Sequence, residues 1–451
     1  MELLIKNGTV LDPFLKIFSK QDILIQNGKI LHIANNIEKE GIKTIFANNL
    51  FVTPGFVDIH MHEEKFLGDD NKFETSIFEC MIKMGVTTCI GGNCGEGPID
   101  PILYINKVRE LKLPANFNMF LSHEFLRNTI GLTNKYQTAS EKQIKLMVNL
   151  ADELLEQNFV GISFGIRYVP GISNNELVAL SKVVKKYNKV VAAHIRDDAN
   201  NVYSSIIEFL DLAYMIDGIK LQLSHIGNMA GFGQMEKALS LVDEYKSNGF
   251  DVSCDCYPYT AFSTKIGETT YDDGWLERYN TSYDKIEIAS GEFKGQRCSE
   301  ELFIKLRKEH PETITIAHLM NEKDIDLAYK HPNVFVASDG FMYNFNGHPR
   351  AAGTFPRVIA KYVKEKSILS LNEAISKMTF LPAEKFGLQK GKLVKGMDAD
   401  IVIWDFNRIK DNATFENPSL SPDGIEYVIL KGNIVVEQNK ILHYNIGELT
   451  N

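Results

Sequence analysis

Along the middle of the chain, short apolar segments of strand length recur, separated by stretches of helical period. TTCIGG, KVVAAHI, KLQLSHI, DVSCDCYPY, TITIAHL and NVFVASDG are the apolar segments, and SEKQIKLMVNLADELLEQ and NNELVALSKVVKKY are amphipathic at the helical repeat. A continuously apolar strand is buried on both faces, and a helix between successive strands makes their pairing parallel. About eight such units predict a closed (β/α)8 barrel. The segments lie near residues 56–60, 86–91, 117–122, 160–164, 190–195, 220–225, 250–256 and 314–318, with a short one at 334–338. That is one more than a barrel needs, so one of them is expected to be peripheral.

The two ends of the chain read differently. LLIKNGTVLD, DILIQNGKILHIA and KTIFANNLFVTPG alternate in the strand manner, with hairpin signals at Asn7-Gly8 and Asn27-Gly28. ADIVIWD and EYVILKGNIVVEQNKIL, with Gly432-Asn433 at a turn, repeat the pattern. The expected fold class is therefore α/β, a TIM-like barrel over residues 55–384 joined to a small β-sandwich built from 1–54 and 385–451. A polar stretch over about 263–311, rich in Tyr, Asp, Glu and Gly, breaks the strand–helix rhythm and is expected to form a lid-like insertion.

Composition narrows function by exclusion. A formal net charge of −9 over 451 residues offers no basic field for nucleic acid. No apolar run is long enough to cross a bilayer and MELLIKNGTVLD lacks a signal-peptide pattern, so the expected location is cytoplasmic, with no membrane partner. A homo-oligomer is compatible with all of this. In so long a chain the six cysteines do not form a disulfide framework. Cys80, Cys89, Cys254, Cys256 and Cys298 read as inert buried thiols.

The polar residues that matter stand where strands end. His60 and His62 close the first barrel strand, Cys94 lies in GGNCGEG just past the second, and His194, His225 and Asp339 end three others. In a barrel these ends share one rim, and residues two apart on a strand face the same way. Imidazoles, a thiolate and a carboxylate suit zinc, as one ion or two, and Cys94 is able to bridge a close pair. His123, His318 and His348 lack a matching partner and read as structural, while His32, His310, His331 and His443 read as surface or turn residues. Glu63 and Glu64 follow directly. By alternation Glu63 points away from His60 and His62, so both acids read as loop residues or supports for the ligands.

The order His60-x-His62, Cys94, His194, His225, Asp339 resembles the amidohydrolase superfamily. Within it, GGNCG, AHIRDD, DCYPYTAFST, ASDGF…HPRAAGTFPRV, SLNEAISKMTFLPAEKFGL and KGMDADIVIWD resemble the D-aminoacylase (N-acyl-D-amino acid deacylase) branch over nearly the whole chain. The resemblance implies that Cys94 stands where other members carry a carbamylated lysine, and that Cys94, His194 and His225 form the tighter metal position. After His225 come Ile226-Gly227, where the branch often carries histidine and a lysine associated with the substrate carboxylate.

The expected activity is hydrolysis of the N-acyl amide of an N-acyl-D-amino acid or similar small carboxylate. Zinc would lower the pKa of water to about 7, and Asp339 would act as general base and then acid. Arg350 is the first candidate for the substrate carboxylate, by its bidentate geometry. Tyr257 and Ser263 lie in a stretch that lines the pocket in the branch, and Arg167 is a second cation able to stand in for the missing lysine. The alternatives are a cyclic amidase of dihydroorotase or hydantoinase type and a non-catalytic scaffold.

Overall fold

The structure is a computed structural model and describes residues 2–450. Eight parallel strands carry the middle of the chain: β1 Phe56–Asp58, β2 Val86–Gly91, β3 Asn116–Met119 resuming as Leu121–Ser122, β4 Gly161–Gly165, β5 Val190–His194, β6 Lys220–Leu223, β7 Asp251–Cys256 and β8 Val334–Val336. Each pairs in parallel with the next, β7 with β8 across an insertion. At Phe120 the third strand switches partners, its N–H reaching Gly91 O at 3.0 Å. The order then returns on itself: Met61 and Gly340 form a parallel bridge, Asp339 N donates to His60 O at 2.7 Å, and His62 N donates to Gly340 O at 2.8 Å. This closed order is the (β/α)8 arrangement.

Helices follow the strands and cover them with one apolar face. Glu141–Leu155 buries Met147, Ala151, Leu154 and Leu155, a helical stripe, and begins at a capping box between Ser140 and Gln143. Asn174–Lys186 starts at Ser173, whose side chain accepts from Glu176 N. Among the described residues no helix is long and apolar enough to cross a membrane.

The surplus strand is Ile314–Ala317. It pairs antiparallel with both Phe262–Lys265 and Ile286–Ile288 in a three-stranded sheet outside the barrel. All four of its residues are buried, so its composition matches a barrel strand and only its partners tell them apart. The inserted structure thus extends past 311, and the barrel position belongs to β8.

Both chain ends enter one nine-stranded sheet, in which Phe51–Pro54 pairs with Glu2–Asp12 on one side and Ile401–Trp404 on the other. Side chains alternate in two cores: Ile401, Ile403 and Ile429 join Leu3, Ile5 and Ile23, while Val402, Trp404 and Val428 join the main core. The sandwich is therefore one continuous sheet, folded over an apolar layer of its own and seated on the barrel by its other face. Asn27-Gly28 does turn a hairpin, but Asn7-Gly8 does not. It is a bulge inside Glu2–Asp12, where the register shifts between Ile5 and Gly8. A Cβ on Gly8 would lie 2.4 Å from Val52, so close packing requires glycine there.

Candidate metal centre

The barrel rim gathers all six residues singled out as ligands. Donor atoms of His60, His62, Cys94 and Asp339 lie within 4.8 Å of one another, and so do those of Cys94, His194 and His225. Cys94 belongs to both groups. Its Sγ is 3.3 Å from His60 Nε2 and 3.4 Å from His225 Nε2. Asp339 Oδ1 is 3.1 Å from His62 Nε2 and 3.3 Å from His60 Nε2. The His194 and His225 rings meet edge to face at 4.4 Å.

The backbone is shaped to bring them there. Cys94, His225 and Asp339 have φ of 54°, 35° and 48°, a left-handed conformation that costs non-glycine residues of order 1–3 kcal/mol. The glycine-rich loop is pressed flat against its neighbours, since a Cβ on Gly95 would lie 2.3 Å from Gly165 N. Asn93 ties the loop to β2 by donating to Ile90 O at 2.9 Å.

Carboxylates hold the imidazoles in place. Asp255 Oδ1 lies 3.1 Å from His60 Nδ1 and accepts from His225 N at 2.8 Å, and Gln222 donates to its other oxygen. Asp58 accepts from the backbone of His60 and of Ser338, joining β1 to the Asp339 turn. Glu63 accepts from Gly92 N at 2.7 Å and so anchors the Cys94 loop. Glu64 accepts from Ile77 N at 2.7 Å and from Ser76 Oγ, at the start of the helix Ser76–Lys83. Neither acid joins the ligand groups: Glu63 follows strand alternation, and Glu64, spaced to face with His60 and His62, is instead drawn to the helix start. Asp255 gave no separate signal in DVSCDCYPY, because its partners come from distant strands.

Charge separates Cys94 from the other cysteines. Burial would raise its thiol, but His60, His225 and His194 hold it well below the usual range. Burial, with neighbouring carboxylates adding to it except at Cys298, pushes Cys80 up to about 12 and Cys298 to about 11, and raises Cys89, Cys254 and Cys256 as well. Asp339 is buried too, yet Arg350 and His60 hold its carboxyl well below the ordinary value. His194 is lowered to about 4 by burial and by the neighbouring His225, so it stays neutral and free to ligate.

A cavity of about 620 Å³, open mouth included, lies over the cluster. Arg350 and Ser263 line it; Tyr257 and Arg167 do not. Tyr257 lies beneath the Arg350 guanidinium, 4.7 Å from ring centroid to Cζ, with its hydroxyl on Met320 Sδ. Arg167 is committed to Asp197 at 2.8 Å and to the Thr269 carbonyl at 3.0 Å. Tyr168, Glu96, Asn228 and Lys265 also line the cavity, and none of them stood out in the sequence. Tyr168 packs edge-on to His194 at 4.6 Å. The remaining histidines have structural partners: His123 meets Glu176 at 2.8 Å, His318 meets Glu287 at 2.9 Å, and His348 meets the Ala261 carbonyl at 3.1 Å. His331, expected at the surface or a turn, sits at a turn but is 9% exposed, its ring paired with Asp243.

The donor set fits a divalent metal. Imidazole, thiolate and carboxylate atoms converge, and the Nδ1 atoms of His194 and His225 are buried without a hydrogen-bond partner. Known proteins carry the same frame. The chain is 28% identical to the N-acyl-D-glutamate deacylase of Alcaligenes xylosoxydans xylosoxydans over 468 residues, covering 97% of this chain and 94% of that one. It is 25% identical to the D-aminoacylase of the same organism over 486 residues, covering 99% and 97%. A crystal structure of a D-aminoacylase superposes with a TM-score of 0.89 at 26% identity, covering 100% of this chain and 99% of the other. The amidohydrolase family model matches residues 51–435. That span contains the parallel strands and every residue of the cluster, and the chain belongs to the amidohydrolase family.

Proposed function

We propose that this chain is a zinc-dependent hydrolase of the N-acyl amide bond of N-acyl-D-amino acids or closely similar carboxylates. The observation that carries the reading is Cys94 shared by two ligand groups beside an Asp339–Arg350 pair, under one cavity. His60, His62, Cys94 and Asp339 would hold one metal position. Cys94, His194 and His225 would hold the other, the tighter of the two. Bound zinc supplies Lewis acidity for a carbonyl oxygen and brings the pKa of water to about 7.

The chain's own groups do the rest. Asp339, kept ionised by Arg350 and the histidines, accepts the proton of the attacking water and returns it to the leaving nitrogen. Tyr168 is pushed well above its usual value by burial and by Cys94, so it stays protonated and donates to the oxygen on which charge develops. Arg350 offers Nε and Nη1, both without a hydrogen-bond partner, to the substrate carboxylate, with Ser263 beside it. Tyr257 orients the guanidinium from below. Arg167, held by Asp197 and Thr269, takes no part in binding the carboxylate. All six cysteines are free and buried, which suits the reducing cytoplasm in which we place the enzyme.

The test is turnover of N-acetyl-D-amino acids, their L-enantiomers and cyclic imides by the zinc-loaded protein. Preference for the linear D-substrates is expected. Turnover of cyclic imides alone would instead identify a dihydroorotase- or hydantoinase-like enzyme.

A further inference from the structure

The cavity over the cluster leaves polar groups of two opposite kinds without partners. Arg350 is 3% exposed, and its Nε and Nη1 lack hydrogen-bond partners. Asn228, 8% exposed and on the short helix after His225, presents Oδ1 without one. Glu96, two residues after Cys94 in the glycine-rich loop, is half-buried on the cavity wall, and its carboxylate makes no hydrogen bond or ion pair among the described residues. Glu268 adds a second carboxylate to the same wall, its one ion pair a long 3.5 Å contact with Lys135. Lys265 is the cation on this side, drawn toward Glu96 and engaged by Glu312 at 2.9 Å.

The cavity therefore offers a cation for an anion at Arg350, and acceptors for a donor at Asn228, Glu96 and Glu268. An ammonium between these groups would add charge-assisted hydrogen bonds to carboxylates that now lack short ones. An acidic substituent would meet two carboxylates and one lysine already paired, a like-charge juxtaposition that works against binding. A neutral apolar substituent would leave the Asn228 oxygen unanswered.

We propose that the site selects substrates carrying a positive charge in addition to the α-carboxylate, with Glu96, supported by Glu268 and Asn228, as the residues that recognise it. This rests on the deacylase reading above. The charge has two possible sources in such a molecule: the side chain of a basic D-amino acid, or the α-ammonium of an aminoacyl group where the acyl group would otherwise be. The chemistry recognised is the same, and both are separable in one assay.

The experiment compares kcat/KM of the zinc-loaded protein for N-acetyl-D-lysine, glycyl-D-methionine, N-acetyl-D-methionine and N-acetyl-D-glutamate. One of the two cationic substrates is expected to exceed N-acetyl-D-methionine by about tenfold, with N-acetyl-D-glutamate last. N-acetyl-D-lysine in the lead assigns the charge to the side chain, and glycyl-D-methionine assigns it to the acyl end. Glu96→Gln should lower the cationic-to-methionine ratio through KM, and Glu96→Lys should raise N-acetyl-D-glutamate relative to the cationic substrates. Glu268→Gln, outside the Cys94 loop, should shift the ratio the same way and keeps the test open if Glu96 variants fold poorly. A lead for the methionine or glutamate substrate, or a ratio indifferent to these changes, would overturn this inference alone. Turnover of none of the four would overturn the deacylase reading and this inference with it.

Discussion

Arg350 and Asp339 are a buried ion pair: Nη1 lies 2.8 Å from Oδ2, with the two side chains 4% and 7% exposed. In the proposed reaction one guanidinium would serve two purposes, keeping Asp339 ionised and receiving the substrate carboxylate. Arg350→Lys preserves the charge and loses the fork, so KM should rise by about tenfold or more and kcat should fall less. Arg350→Met takes the guanidinium away from a buried carboxylate, and both parameters should worsen. Steady-state kinetics on an N-acetyl-D-amino acid would show the difference.

Gly95 controls where Cys94 stands. With φ of 76° and no room for a Cβ against Gly165 N, it lets the loop lie flat on β4. Gly95→Ala should lift the loop and remove Cys94 from the histidines. Zinc bound per chain should fall sharply while the far-ultraviolet circular dichroism is retained, because the strands themselves are untouched.

Glu176 is a prediction about stability rather than chemistry. It is fully buried between His123 and Arg127, accepting from Arg127 Nη1 at 2.8 Å. Glu176→Ala strands a buried guanidinium, which costs about 3–5 kcal/mol. The urea midpoint should fall accordingly, and the folded fraction should bind zinc as the parent does.

Two lysines give the protein a characteristic response to alkaline pH. Burial lowers Lys377 and Lys385 to about 8, and each is under 10% exposed. Between about pH 8 and the ordinary lysine value of about 10.4 the unfolded chain binds more protons than the folded one, so their contribution to stability grows as pH rises through that window. Neutral Lys377 still has N–H groups for the His331 and Val334 carbonyls it reaches. Lys377→Met should reduce the gain in urea-unfolding free energy between pH 8 and 10.

Much of this molecule was legible from local pattern. Strand–helix alternation gave the parallel strands, and chemistry at strand ends gave the six rim residues, because strand direction alone decides which ends converge. What depended on partners was not legible. Ile314–Ala317 has the composition of a barrel strand, and its antiparallel neighbours are set by the insertion. Asn7-Gly8 has the dipeptide of a hairpin and the surroundings of a bulge. Asp255 takes its partners, His60 and Gln222, from other strands, so no spacing announces it. Arg167 looked available as a cation until Asp197 and Thr269 were placed beside it.

Cys94 lies at the centre of the account, shared by both ligand groups. The most direct test is metal analysis by plasma mass spectrometry of the purified chain and its Cys94→Ala variant, both reconstituted with zinc and dialysed. One or two zinc ions per chain are expected in the parent, and loss of most of that metal in the variant, since Cys94 belongs to both ligand groups. Equal zinc in the two proteins, or none in the parent, would contradict it.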